Sequence, residues 1–306
     1  MRILLAVSGG IDSMYMAHRA SELFPEASFA VAHCNFQLRG RESDGDEEFV
    51  RNWAASQGMP CFVRRFDTEG FAAAGGLSIE MAARDLRYGW FAELCRKHGF
   101  DAVAVAHNAN DNAETLILNM LRGTGSKGMR GIATESVRKD GLRILRPVLD
   151  RTRDEIRSWM EAGGFRWRDD SSNGESVVKR NMVRNEVFPV FRRINPNFIG
   201  TLNADMERLA QVDDIADDYF RNCGIEAGCR EIPVDLLLSL SHWRYVLWRL
   251  LEPYGFSQQT FEKLTALLSR YKDCPRGTVT MSGKTFESPA HILTTSRKKL
   301  VITDLS

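Results

Sequence analysis

The sequence lacks the features that would assign it to a membrane, secreted or metal-cluster class. It has no apolar run of membrane length, and the five apolar residues of Ile3–Val7 are too few for a signal-peptide core. Its six cysteines include no Cys-x-x-Cys pair, so neither an iron–sulfur or zinc framework nor a redox pair is indicated. We therefore expect reduced thiols, a cytoplasmic location and no membrane partner.

The chain also has almost no net charge. Its 41 lysines and arginines against 40 acidic residues give +1, which taken whole is a poor signal for nucleic acid. The charge is unevenly distributed, however. Residues 138–193 contain 14 basic and 9 acidic side chains, whereas residues 199–236 contain 3 basic and 9 acidic side chains. This asymmetry indicates one face for polyanions, although charge alone fits a solvated surface equally well.

The stretch that organises the chain is Arg2–Ser13. Ile3–Val7 predicts a buried strand, Ser8-Gly9-Gly10 breaks it, and Ile11–Leu23 reads as a helix. Glycines let the backbone lie against a bulky anion, and the free N–H groups of a first helical turn point at it. The pattern therefore predicts a phosphate site rather than an ordinary strand-to-helix turn.

Side chains of this loop extend the phosphate prediction. Ser8 and Ser13 add hydroxyl donors, and Asp12 can hold a metal counter-ion. A Walker A loop would grip the β- and γ-phosphates with a lysine, and this loop has none. Ser-Gly-Gly-x-Asp-Ser resembles instead the pyrophosphate loop of the ATP pyrophosphatases, which cut ATP into AMP and pyrophosphate. The resemblance implies activation of an oxygen by adenylation.

Polar residues follow the second and fourth predicted strands, Phe29–His33 and Asp101–Ala106. In open parallel sheets, ligands sit outside the carboxyl ends of the strands. His33 and Asn35 are therefore candidates for the nucleotide base and ribose. Asp111 and Glu114, three residues apart, would lie on one helical face and suit a metal ion or a cationic substrate. The alternative for Asp111 is an acidic residue at a helix start that is favoured by the helix dipole. This alternative applies less well to Glu114.

Arginines with helical spacing form a second group of candidates. Arg180 and Arg184 lie four residues apart in a basic helix from Lys179 to Arg193, where they could present forked donors to a phosphate or base. Arg84 is a further candidate and lies four residues after Glu80. The alternative to a functional role is a surface ion pair between these two residues.

The acidic residues between Glu42 and Glu48 are expected to be first-turn charges of a helix. This helix is predicted over Glu42–Ser56, with a box-like start from Ser43 to Asp46. Gly75-Gly76 predicts a flexible loop. The other predicted elements are strands at Pro60–Phe66 and Leu142–Leu145, helices at Ser78–His98, Leu116–Arg122, Arg151–Ala162 (capped by Thr152), Ile199–Arg221, Val234–Leu251 and Gln258–Tyr271, and hairpin strands in Thr278–Thr303.

Together these motifs resemble one family, the tRNA(Ile)-lysidine synthetases, over about Arg2–Asn197. The first motif alone would give only the superfamily, whereas the combination is specific. Beside the loop, the matching residues are Leu38-Arg39, Glu80, Arg84, Arg87-Tyr88, Ala106-His107, Asp111, Glu114-Thr115, Arg122, Gly125, Arg146-Pro147, Trp167, Asp170, Ser172-Asn173, Arg180-Asn181 and Arg184.

The resemblance implies a fold and a reaction. The fold would be α/β: a Rossmann-like, doubly wound parallel sheet of the adenine nucleotide alpha hydrolase type, with a smaller, mainly helical C-terminal domain. Residues 1–197 would form the catalytic domain, and residues 198–306 a tRNA-contacting domain that ends in short strands. Such enzymes use ATP to adenylate the wobble cytidine of an isoleucine tRNA with a CAU anticodon and then attach L-lysine.

The same resemblance implies roles for the candidate residues. The loop would bind ATP phosphates, and Asp12 and Asp111 would bind Mg2+. Asp111 and Glu114 would serve magnesium or lysine, Arg84 the substrate pocket, and Arg180 and Arg184 the cytidine and its transition state. A homodimer is a further expectation. The loop residues implied in ATP binding are Ser8, Gly9, Gly10, Ile11, Asp12 and Ser13.

The chain departs from the family pattern at two positions. Many relatives have Asp-His where this chain has Asn35-Phe36, and Asp-Asp where it has Asn110-Asp111. Some relatives carry a further C-terminal module for the acceptor stem, and we expect that this chain either lacks it or has been cut before it. The alternative function is a tRNA thiolation enzyme on the same fold, for which Cys34 is the obvious candidate thiol.

Overall fold

The computed structural model describes residues 1–168, 175–273, 282–296 and 298–305, with the side chains of 175–178 left aside. The chain divides into two compact units, Met1–Ala210 and Gln211–Ser306. No helix within the described ranges is long and apolar enough to cross a membrane.

Six described strands of the first unit form one sheet in the order β3-β2-β1-β4-β6-β5. All neighbours are parallel except β5 and β6. The predicted parallel α/β sheet is thus confirmed, while β5 was not predicted, since its three residues, Glu-Ser-Val, contain no buried side chain and form no apolar run. The strands are β1 Arg2–Ala6, β2 Ser28–Asn35, β3 Cys61–Arg65, β4 Ala102–Ala104, β5 Glu135–Val137 and β6 Arg143–Leu145.

Alternating side chains of the strands bury both faces of this sheet. On one face Ile3 and Leu5 pack with residues of helices that include Met14 and Ile156. On the other face Leu4 packs with the long helix that carries Tyr88 and other aromatic residues. The first-unit helices are α1 Ile11–His18, α2 Ala20–Leu23, α3 Arg41–Ser56, α4 Thr68–Gly75, α5 Ile79–His98, α6 Ala109–Arg122, α7 Ser126–Met129, α8 Arg153–Ala162, α9 Glu175–Met182 and α10 Phe188–Ile194.

Several helices differ from the prediction. The helix expected over Ile11–Leu23 is interrupted at Arg19, and α4 occupies the stretch before Gly76 in which only a flexible loop was expected. A π-helical turn, Val183–Val187, interrupts the predicted basic helix. The predicted cap of α8 is confirmed, since Thr152 forms a full capping box there.

Helix α11, Phe198–Arg221, runs through the division between the units. Its first half belongs to the first unit, where Phe198 and Ile199 pack with Ala109 and Ala113 of α6. Phe220 near its end belongs to the core of the second unit. The division therefore falls later in the chain than the predicted boundary after Asn197, because one continuous helix contributes to both cores.

The second unit packs helices against a small antiparallel sheet of order β7-β10-β9-β8. The predicted helix Val234–Leu251 is broken before Trp243, and β7 is a further three-residue strand that its sequence did not reveal. The hairpin strands expected near the chain end are present. The elements are β7 Glu231–Pro233, α12 Val234–Ser239, α13 Trp243–Leu251, a 3-10 turn Glu252–Tyr254, α14 Gln258–Asp273, β8 Thr285–Glu287, β9 His291–Thr295 and β10 Lys299–Asp304.

Candidate active site

The order of the strands reverses at β1 and β4, which pair side by side. The connection after β1 is the Ser8–Ser13 loop, and the connection after β4 leads into α6. A crevice outside the carboxyl ends of strands at such a reversal is where open α/β sheets bind ligands. Helix α8 begins at the same place, because Asn110 Oδ1 accepts a hydrogen bond from the backbone N of Arg153 at 3.0 Å. Three helix N-termini therefore meet at this crevice.

The Ser13 hydroxyl stabilises the loop through hydrogen bonds with the loop backbone. Its Oγ accepts hydrogen bonds from the backbone N of Ser8 at 3.1 Å and of Gly9 at 3.2 Å, and donates to Gly10 O at 2.9 Å. Gly9 has φ +98°, a conformation that L side chains rarely adopt, so glycine is required at that position. The loop thus has the compact, amide-rich backbone that a phosphate site needs.

An acidic residue of α3 is linked to this loop by hydrogen bonds through Arg168. The backbone N of Arg168 donates to Gly9 O at 2.9 Å, and its Nε donates to Asp46 Oδ1 at 2.8 Å. The other oxygen of Asp46 accepts from Arg39 Nη2 at 2.7 Å. Asp46 is 7% exposed and so is not the solvated first-turn charge predicted from the sequence. The box-like start is also wrong: α3 begins after Gly40, and Ser43 Oγ accepts from the N of Arg39.

Asp12 and Asp111 come together around Arg153. The Nη2 atom of Arg153 lies 3.5 Å from Asp12 Oδ2 and 3.8 Å from Asp111 Oδ1. Burial raises the pKa of Asp12, with Asp111 adding to the rise and Arg153 opposing it. Within the described residues, Oδ1 of Asp12 is buried and has no hydrogen-bond partner. A buried carboxylate oxygen without a donor is an available ligand for a cation.

Glu114 lies one helical turn beyond Asp111 and is fully buried, at 0% exposure. Its Oε1 accepts from Arg184 Nη2 at 2.7 Å and from Arg184 Nε at 2.8 Å. Oε2 has no partner among the residues described. Burial raises the pKa of Glu114, and Arg184 opposes this rise. The carboxylate therefore has one oxygen fixed by an arginine and one still able to accept a hydrogen bond.

Arg180 and Arg184 both reach α6, as their predicted shared face implies. Arg180 Nη2 lies 3.5 Å from Thr115 Oγ1, while Arg184 binds Glu114. The packing of Val183 and Phe188 against α6 holds this segment in place. Arg184 also lines an open groove of about 630 Å3, together with Asn110 and Arg153. The charged residues that line the groove are Arg153, Asp154, Arg184, Glu186, Arg192 and Arg193.

A second cationic group surrounds His107 after β4. Arg146 Nε donates to His107 Nδ1 at 3.3 Å, so the ring proton is on Nε2. Burial lowers the pKa of His107 to about 4, with Arg146 adding to the effect and Asp111 opposing it. The predicted Arg84 is exposed, and its guanidinium carbon lies 5.2 Å from the centre of the Tyr88 ring. No contact joins Arg84 to Asp111 or Glu114 within the described part of the chain.

His33 and Asn35 lie at the carboxyl end of β2, and both are buried. His33 Nδ1 donates to Val7 O at 2.9 Å, just before the loop. The Asn35 amide donates to Glu47 Oε2 at 3.0 Å, and its Oδ1 accepts from the backbone N of Gln37 at 3.0 Å. Gln37 has φ +57° and is the only non-glycine residue of the described chain in this region. Both side chains therefore shape the crevice, and direct contact with a nucleotide stays a prediction.

The sequence family described as the PP-loop domain matches residues 1–191, more than half of the chain. The chain belongs to the PP-loop family. The TilS substrate binding domain matches residues 226–305. These two matches fall on the first and second compact units, respectively.

Similar proteins agree with the family resemblance that the sequence motifs indicated. This resemblance is thereby confirmed. A tRNA(Ile)-lysidine synthase of Porphyromonas gingivalis is 36% identical over 99% of this chain and 64% of its own length. One of Chlorobaculum tepidum is 43% identical over 68% of this chain and 61% of its own. The chain thus spans less than two thirds of these relatives. A U34-tRNA thiolase of Methanococcus maripaludis shares the fold, with a TM-score of 0.58 at 16% identity over 69% of this chain and 73% of that chain.

The thiol chemistry needed for a thiolation enzyme has little support in this PP-loop unit. Burial raises the pKa of the Cys34 thiol to about 12, so it is protonated near neutral pH and a poor nucleophile. The five described cysteines are all free. The motif residues Asp170, Ser172 and Asn173 lie outside the described residues.

Sequence reasoning missed two residues of this site. Arg153 follows the capping residue of α8, and only the fold reveals that it reaches Asp12. Asp46 was predicted to be a first-turn charge of a helix. Its pairing with two arginines is recognisable only in three dimensions. No local sequence signal marks either residue.

Proposed function

We propose that this chain is an ATP-dependent carbon–nitrogen ligase that forms lysidine on tRNA. It would adenylate the wobble cytidine of an isoleucine tRNA with a CAU anticodon and then join L-lysine to it. The observation that carries the proposal is the free Oε2 of the buried Glu114 beside the PP-loop. A buried carboxylate oxygen without a donor is costly, and a cationic substrate group that donates to it would remove that cost. The relatives and the TilS substrate binding domain support the same activity.

The reaction begins with adenylation. Cytidine's ring carbonyl is a poor electrophile, so its oxygen attacks the α-phosphorus of ATP, and pyrophosphate leaves. Ser8–Ser13 binds the phosphates, and Ser13 holds the conformation of the loop by accepting hydrogen bonds from the backbone N of Ser8 and Gly9. Arg180 and Arg184 stabilise charge that develops at the cytidine, and Arg84 extends the substrate pocket. His33 and Asn35 shape the wall for the base and ribose.

Lysine then replaces the activated oxygen. One lysine amine, in its neutral form, attacks the ring carbon; the bond from that carbon to the adenylated oxygen breaks, AMP leaves with the oxygen, and the amine's proton passes to solvent. Glu114 holds the other, cationic amine of lysine through Oε2, and Asp111 is one helical turn away. No carbon–sulfur chemistry is involved, so the high pKa of Cys34 is no obstacle.

Magnesium fits this site through Asp12 and Asp111. The described residues contain no group of three or more acidic, histidine or cysteine side chains arranged for a metal. Mg2+ bound with ATP nevertheless needs only one or two carboxylates, since phosphates and water supply the rest. The unpartnered Oδ1 of Asp12 meets that requirement. Bound magnesium would neutralise phosphate charge during adenylation.

Transfer of labelled lysine to tRNA tests the proposal. Purified chain, ATP and Mg2+ should incorporate lysine into an isoleucine tRNA with a CAU anticodon, and the spent nucleotide should be AMP. The same tRNA with its wobble cytidine replaced by uridine is the matched control and should accept none. ADP as the main product, or lysine incorporated equally into both tRNAs, would refute it. A cytoplasmic location and a homodimer remain part of this proposal.

A further inference from the structure

Arg153 occupies the space between the two carboxylates proposed to hold magnesium. Its Nη2 is 3.5 Å from Asp12 Oδ2 and 3.8 Å from Asp111 Oδ1. Its position is fixed at the backbone, because its N donates to Asn110 Oδ1 at 3.0 Å. The side chain is therefore held at the crevice whichever way its guanidinium points.

The two carboxylates need a cation near them. The side chains of Asp12 and Asp111 are only 22% and 15% exposed, so water screens their mutual repulsion poorly. Arg184 also lies 3.8 Å from Asp111, but it is engaged by the buried Glu114 at 2.7 Å. Among the residues that the structure describes, Arg153 thus forms ion pairs only with these two carboxylates.

The contacts of Arg153 are also those of a displaceable group. Both distances exceed the 2.7–2.9 Å of a strong charge-assisted hydrogen bond. Its side chain is 27% exposed and lines the groove, so the protein does not enclose it on all sides. A permanently structural arginine would be expected in the tight geometry that Arg184 makes with Glu114.

We propose that Arg153 is the internal counter-ion of the magnesium site, holding Asp12 and Asp111 until a metal ion competes for the same oxygens. The proposal rests on the magnesium site of the proposed function but not on lysidine chemistry. Arg153 is a positioning residue in this account. It balances the negative charge of the two carboxylates, and it sets how strongly a divalent cation must bind to replace it.

Binding of Mn2+ to the full chain without nucleotide tests this role, with free Mn2+ measured by electron paramagnetic resonance. Arg153→Met should bind Mn2+ about fivefold more tightly than the unaltered chain, since a competing ion pair of the usual strength is lost. Arg157→Met is the matched control: it lies one turn along α8, is exposed, and pairs only loosely with Glu161 at 3.9 Å. It should leave Mn2+ affinity unchanged.

Three further variants separate the counter-ion role from a folding defect. Arg153→Lys keeps a cation and should remove most of the gain, and Arg153→Gln should retain it. The double variant Asp12→Asn with Arg153→Met should lose the gain, because a metal ligand is gone. Equal or weaker Mn2+ binding by both neutral variants, with folding confirmed by circular dichroism, would overturn the proposal.

This readout is independent of the lysine-transfer assay. Tighter Mn2+ binding in a chain that fails to modify tRNA would support the counter-ion role while refuting the proposed function. Lysine transfer by the unaltered chain, with no gain in Mn2+ affinity in the neutral Arg153 variants, would support the proposed function and refute the counter-ion role.

Discussion

Ser13 accepts hydrogen bonds from two backbone N–H groups, those of Ser8 and Gly9, and so stabilises the conformation of the loop. We expect Ser13→Ala to weaken ATP use about tenfold to a hundredfold, because each lost hydrogen bond contributes about 0.5–1.5 kcal/mol. Steady-state kinetics with varied ATP measure this. Ser56→Ala, on an exposed part of α3, is the control and should behave as the unaltered chain. Normal kinetics in Ser13→Ala would remove the loop from the account.

Glu114 divides its two oxygens between Arg184 and an open position. Glu114→Ala should therefore raise the lysine concentration needed for half-maximal rate far more than the ATP concentration, since it removes the proposed acceptor for the lysine cation. Lysine and ATP titrations of tRNA modification compare the two. Glu93→Ala, which removes an exposed pair with Arg64, is the control. An equal rise in both requirements would point to a general structural defect.

His107 makes the stability of the first unit depend on pH. Burial lowers its pKa from 6.5 to about 4 in the folded chain, so the unfolded chain binds the proton first as pH falls. The stabilisation from neutral His107 is complete above pH 6.5 and is lost as pH drops toward 4. Urea unfolding at several pH values should show that His107→Gln loses less stability over this window than the unaltered chain. Parallel pH dependence in both chains would contradict the buried, neutral state.

At the scale of elements, the link from α3 to the PP-loop runs through Asp46 and Arg168. Asp46→Asn should weaken binding of a non-hydrolysable ATP analogue, because the loop carbonyl of Gly9 loses its firmly held donor. Calorimetric titration measures the affinity, and the midpoint of thermal unfolding reports any general loss of stability. Glu48→Gln, exposed on the same helix, is the control. Weakened stability with unchanged analogue affinity would show that Asp46 serves the fold alone.

The elements also show how far sequence alone can predict this site. The strand–loop–helix of Arg2–His18 is local, so hydrophobic periodicity and two glycines were enough to find it. Thr152 was predictable for the same reason. Arg153 and Asp46 were not, because their partners lie 141 and 122 residues away along the chain. The three-residue strands β5 and β7 are likewise fixed by their neighbours in the sheets rather than by a pattern of their own.

At the scale of the whole molecule, the first compact unit matches the PP-loop domain and the second matches the TilS substrate binding domain. The basic segment predicted from charge counts becomes, in the first unit, the wall of a groove that carries Arg184, Arg192 and Arg193. Arg184 joins this wall to the carboxylate of Glu114. A polyanion bound along this wall would therefore contact Arg184, the arginine that pairs with Glu114.

The order in which the substrates react is the most direct test of this account. Pyrophosphate release should be measured with ATP and tRNA, with ATP and lysine, and with all three. We predict release with ATP and tRNA alone, with an adenylated tRNA accumulating until lysine is added. Pyrophosphate release that needs lysine and proceeds without tRNA would mean that the enzyme activates the amino acid, and it would contradict adenylation of the cytidine.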